Sequence, residues 1–127
     1  MQENEIGRHV VDCAVKIHMA TGPGLLESVY ETIMVYELKA RNLKVDRQVS
    51  VPLIYKNIRF DEGFRADIIV ENKVIIELKS VEKIMNSHKK QVLTYLKMTD
   101  LKLGYLLNFS EERMVDGITR ILNGYLD

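Results

Sequence analysis

Ile6, Val10, Ala14 and Ile17 recur every three or four positions between polar residues, a spacing that predicts an amphipathic helix over residues 4–19. The Thr21-Gly22-Pro23-Gly24 stretch breaks that helix and opens onto a second one carrying Leu26, Val29, Tyr30, Ile33, Met34 and Leu38, which stops near Asn42. From Val45 the period changes to two. Val45, Arg47, Val49, Val51, Leu53 and Tyr55 fall on one side of a strand, and Pro52 places that strand at a sheet edge. Lys56-Asn57 and Asp61-Glu62-Gly63 read as turns around a short extended piece at 58–60, before a strand over 64–70. Glu71-Asn72-Lys73 joins that strand to residues 74–80, whose apolar density predicts burial on both faces. Helical spacing returns over 85–98, a further buried strand follows over 103–109, and a closing helix is expected over 113–122. The order α, α, β, β, β, α, β, α predicts an α/β fold, one domain over residues 1–127 with a mixed sheet flanked by helices.

Residues two apart on a strand share a face, so Glu77 and Lys79 project together while Ile76 and Leu78 go the other way. If Glu71-Asn72-Lys73 is a three-residue hairpin loop, Val70 pairs with Val74 and Asp67 falls opposite Glu77, with β-carbons about 5 Å apart. Two carboxylates that close among Ile68, Ile69, Ile75 and Ile76 repel each other and lose hydration, at a cost of several kcal/mol without a positive partner. A divalent cation meets that need. Oxygen ligands select a hard ion, Mg²⁺ or Mn²⁺, which keeps waters and a substrate phosphate in its shell. Lys79 beside the carboxylates stays charged and is suited to orienting an attacking water and stabilising a pentavalent phosphate. The plainer alternative is a structural Glu77–Lys79 ion pair on a solvated sheet face.

Two helices can contribute. Glu27 lies in the first turn of its helix, where it also complements the helix dipole, and Tyr30 shares its face. His88, Gln91 and Tyr95 follow at intervals of three and four on one face of the later helix. There Gln91 can position a water or phosphate, and Tyr95 can simply pack. Lys89, Lys90 and Lys97 form an opposite, basic face that either solvates the helix or follows a nucleic-acid backbone.

Composition narrows the partners. Eighteen basic and 18 acidic side chains give zero formal charge, so nucleic acid has to be met by local patches. One cysteine, Cys13, excludes an internal disulfide and a cysteine zinc cluster, and suits a reducing, cytoplasmic setting. No apolar run approaches the ~20 residues that span a bilayer, and no signal pattern opens the chain. A P-loop, a dinucleotide fingerprint, a paired-histidine metal motif and a serine nucleophile elbow are all missing.

Gly24-Leu25-Leu26-Glu27-Ser28-Val29-Tyr30 resembles the naming motif of the GxxExxY family of the PD-(D/E)XK nuclease superfamily. The likeness continues through Phe64-Arg65-Ala66-Asp67, residues 74–80, 91–96 and 101–109, and covers roughly residues 5–122, with Ala66 where the superfamily's proline would stand. It implies an αβββαβ core, with Glu27, Asp67, Glu77, Lys79 and Gln91 as the catalytic set, Asp67 and Glu77 as metal ligands, and Tyr30, Tyr95 and His88 as accessory residues. Gln91 with Tyr95 is also similar to the QxxxY element of RecB-like nucleases. The implied activity is Mg²⁺- or Mn²⁺-dependent hydrolysis of phosphodiester bonds in nucleic acid, DNA before RNA. Sequence selection would then call for a homodimer or a protein partner. The alternative from another class is a non-catalytic nucleic-acid-binding or protein-interaction module that keeps the fold.

Overall fold

The computed structural model describes residues 1–126, with every side chain among them except that of Glu62. Helix α1 (Glu3–Thr21) buries Ile6, Val10, Cys13, Ala14 and Ile17 along one stripe and places Glu3 and Glu5 in the first turn, where they complement the helix dipole. It ends at Gly22, whose φ of 72° is open to glycine and whose N–H donates to His18 O at 2.8 Å. Helix α2 (Glu27–Ala40) follows and closes through Asn42, which takes the left-handed conformation, while Leu43 N–H donates to Leu38 O.

Strands β1 (Val45–Tyr55) and β2 (Ile58–Val70) form a long hairpin across a two-residue turn in which Lys56 and Asn57 both have positive φ. The three-residue loop Glu71-Asn72-Lys73 leads into β3 (Val74–Lys79). Helix α3 (Asn86–Thr99) then crosses over to β4 (Leu103–Asn108), which runs parallel to β3. A fifth strand, β5 (Ile118–Leu122), completes a sheet of order β1-β2-β3-β4-β5, antiparallel at every junction except β3–β4.

The sheet separates two cores. On one face Ile68, Val70, Val74, Ile76, Leu78 and Leu107 pack against α1 and α2. On the other, Ala66, Ile69, Ile75 and Leu106 pack against Val92, Tyr95 and Leu96 of α3. The α/β expectation, a mixed sheet flanked by helices, is met, and β1 with its Pro52 is indeed an edge strand.

Two expected elements are replaced. The closing helix over 113–122 is one 3₁₀ turn, Met114–Gly117, followed by β5. The apolar spacing there does suit a helix, but β4 offers an open edge, and β-branched Ile118, Thr119 and Ile121 suit a strand. Gly117 also lets the chain pass close to Asn108, since a β-carbon there would lie 2.1 Å from the Asn108 carbonyl oxygen. The second replacement is Asp61-Glu62-Gly63, which is not a turn, because β2 runs through it unbroken. Val51 pairs with Phe64 and Leu53 with Phe60, so these three residues bulge opposite Pro52 alone. A β-carbon on Gly63 would lie 2.3 Å from Val51 O.

Candidate active site

The β2–β3 ladder runs in register from Val70–Val74 to Ile68–Ile76, so the next residues to face each other are Asp67 and Glu77. There the carboxylates take over from the backbone. Asp67 N–H donates to Glu77 Oε1 at 3.0 Å, and Leu78 N–H donates to Asp67 Oδ2 at 2.9 Å. Each side chain thus caps the opposite strand where the two strands part. Asp67 Oδ1 and Glu77 Oε2 receive no N–H donor among the described residues.

The pair sits in poor solvent. Glu77 is 6% exposed, and burial, reinforced by the Asp67 charge, pushes its carboxyl up to about 8. Burial raises Asp67 as well, against the opposing pull of the Leu78 N–H. Lys79, two residues beyond Glu77 at the end of β3, is half-buried, and its positive charge lowers both carboxyls. It makes no ion pair within 4.0 Å among the described residues. The expected alternative of a simple Glu77–Lys79 salt bridge is therefore absent from this geometry.

Glu27, the first residue of α2, is exposed, and its Oε2 accepts the Ser80 N–H at 2.9 Å, immediately after Lys79. It lines a cavity of about 250 Å³ together with Asp67, Glu31, Gln48 and Leu78. Of the carboxylate pair only Asp67 lines it; larger concavities, up to about 600 Å³, lie along α1, and one of about 540 Å³ adjoins Glu27 and Ser80, and neither Asp67 nor Glu77 lines any of these.

Tyr30 has a different position from the one its motif suggests. It is fully buried, its ring stacks on Phe109 at 4.2 Å, and its hydroxyl donates to Gly22 O while accepting the Leu25 N–H. Its visible work is to pin the loop that presents Glu27. Nothing in the local packing demands glycine at position 24.

On α3, Tyr95 is buried and stacks on Phe64 at 3.5 Å; burial raises its phenol, with a further push from the charges of Glu77 and Asp67. Gln91, one turn earlier on the same side of the helix, is exposed and free of protein hydrogen bonds among the described residues. His88 Nδ1 accepts the Met85 N–H and so caps α3.

Sequence reasoning missed three residues that shape this cavity. Glu31, only 6% exposed, accepts from Arg47 Nε at 3.2 Å, Arg47 Nη2 at 2.6 Å and Gln48 Nε2 at 2.5 Å. Adjacent strand residues normally point to opposite faces. Gln48, with φ of 52°, turns so that its side chain joins that of Arg47 on Glu31. Gln48 lies opposite Asp67 in the β1–β2 register, at the one position between Arg47–Ile68 and Val49–Ala66 where no bridge forms. A signal existed, because Glu31 falls on the stripe shared by Met34, Val35 and Leu38, where a carboxylate needs a partner.

Asn108 was missed too. Wholly buried at the end of β4, it donates to Val81 O and accepts Val81 N–H, fixing the segment after Lys79.

A family model of the PD-(D/E)XK nuclease superfamily matches residues 4–121, and the chain belongs to that superfamily. No curated protein and no solved structure matches it. Members of this superfamily generally use divalent metals. Among the described residues no three His, Cys, Asp or Glu side chains are gathered into a ready cage, and no helix is long and apolar enough to cross a membrane. Two adjoining carboxylates, each with one oxygen that takes no N–H donor, still fit a hard cation that keeps most of its own waters.

Proposed function

We propose that this chain is a nuclease of the GxxExxY kind that hydrolyses phosphodiester bonds in DNA, or in RNA, with Asp67 and Glu77 holding Mg²⁺ or Mn²⁺. The observation that carries the proposal is the crossed pair of hydrogen bonds at the parting strands. It fixes both carboxyls while leaving one oxygen of each without an N–H donor, in a setting where burial makes two negative charges costly. When bound, the ion supplies a Lewis acid and lowers the pKa of a coordinated water.

The protein's own groups do the rest. Lys79, unpaired and beside the carboxylates, offers its ammonium to the charge that develops on phosphorus and to the attacking water. Glu27, held by the Ser80 N–H, borders the same cavity and has one oxygen left to bind a water. Gln91 stands exposed one turn from Tyr95, where it can donate to a phosphate oxygen without first breaking a bond. Tyr95 and Phe64 close the α3 side against water.

The test is cleavage of single- and double-stranded DNA and RNA with Mg²⁺ or Mn²⁺, alongside calorimetric titration of Mn²⁺ into wild type and Asp67→Asn. Metal-dependent cutting by wild type, and loss of both cutting and Mn²⁺ binding in the variant, are expected. Oligonucleotide binding without cleavage on every substrate would replace the enzyme with a binding module.

A further inference from the structure

Beyond Ile68, β2 has no partner on its β3 side, so the outer part of the β1–β2 hairpin leaves the sheet as a two-stranded ribbon. Leu53 pairs with Phe60 and Tyr55 with Ile58, which puts these four side chains on one face of the ribbon. They are 42%, 41%, 57% and 57% exposed, in that order. A solvated ribbon face ordinarily alternates to polar residues here. With roughly half of each residue in water, the four present about 400 Å² of contiguous apolar surface, the size of the largest patch on a typical monomer, which is often functional. The face is also built on a free edge, since β1 has β2 on one side only.

We propose that this face is where a second copy of the chain packs, ribbon against ribbon about a twofold axis. Charge decides against nucleic acid as the occupant. At the ribbon tip, residues 53–60, Arg59 is bonded to Asp61 at 2.9 Å and Lys56 lies over the Tyr55 ring at 5.5 Å, and the exposed Arg65 stands farther back, opposite Ser50, so no cation beside the four apolar side chains is arranged to collect phosphates. Two such faces bury up to about 800 Å² of apolar surface, the size of a weak, reversible contact between copies. The patch is self-complementary as well. The Leu53–Phe60 and Tyr55–Ile58 rows each place a flat ring beside an aliphatic chain, so a twofold can set each ring on the other copy's aliphatic side chain. The proposal does not depend on the nuclease assignment.

Sedimentation velocity from about 1 to about 100 µM tests it, because a contact of this size dissociates in that range unless it is tight. Wild type is expected to sediment as a dimer at the upper end. Tyr55→Glu and Ile58→Glu should raise the dissociation constant at least tenfold, with circular dichroism unchanged because neither side chain is in the core. Ile54→Glu, on the opposite face beside Arg59, should leave assembly unchanged. Hydrogen exchange at 53–60 should slow as wild-type concentration rises. A wild type that is monomeric throughout overturns the proposal, as does a dimer that survives both face substitutions. A monomeric wild type whose oligonucleotide binding is lost in Ile58→Glu would assign the face to nucleic acid instead.

Discussion

Replacing Glu77 by Gln in the metal-free protein should stabilise it at alkaline pH and do little at acid pH. Glu77 has a folded-state pKa raised from 4.5 to about 8, so the folded form favours the proton more than the unfolded chain does. Stability from that proton is fully present below pH 4.5 and is lost as pH rises through about 8. At about 1.4 kcal/mol per pH unit the full shift corresponds to between about 4 and 5 kcal/mol, an upper bound. Asp67 shares the same proton, and water can enter a pocket whose Glu77 Oε2 has no donor, so roughly 2 kcal/mol is the expected loss. Gln keeps an acceptor for the Asp67 N–H and offers Asp67 a donor, and it never charges. Urea unfolding at about pH 5 and about pH 9 should therefore show the variant near wild type at the first and about 2 kcal/mol more stable at the second. Mn²⁺ should restore the wild type at high pH and leave the variant unmoved. An advantage of the variant over wild type that is no larger at about pH 9 than at about pH 5 would refute the buried, shared-proton account of the pair.

Lys79→Met should stay folded and bind Mn²⁺, since Lys79 is in no ion pair, while cleavage falls about a hundredfold or more; full cleavage would remove Lys79 from the chemistry. Arg47→Ala should destabilise by about 3 kcal/mol, because it leaves the Glu31 carboxylate buried with Gln48 alone. Glu31→Gln should cost nearer 1 kcal/mol, since Arg47 is 46% exposed and regains water; chemical denaturation of the two variants measures the asymmetry. Gly117→Ala should cost about 3 kcal/mol, through the clash with Asn108 O and the loosening of β5 from β4, read as a lowered urea midpoint with unchanged slope.

Much of the frame around the candidate site follows from local pattern. A three-residue loop at Glu71-Asn72-Lys73 sets the hairpin register, and that register brings Asp67 and Glu77 face to face. The apolar density of residues 74–78 already meant burial on both faces, and all five are buried. Pro52 marked the sheet edge because it lacks the N–H that an inner strand must donate. These features depend on residues within one or two turns of one another, where sterics and alternation act directly.

Other features arise from neighbours distant in sequence. Residues 113–122 have a helix's spacing, and only the unpaired edge of β4 makes 118–122 a strand. Asp61-Glu62-Gly63 has turn chemistry, but β1 is long enough to keep β2 paired on both sides of it, so the same residues form a bulge. Tyr30 belongs to a motif that suggests a place in the site, and the tertiary structure spends its hydroxyl on the loop at Gly22 and Leu25. Glu31 and Gln48 are 17 residues apart and become partners because β1 lies beside α2, with Gln48 turned to a positive φ. Periodicity reports which side of an element is buried; what it is buried against, and which buried polar group finds which partner, is settled only when the elements pack.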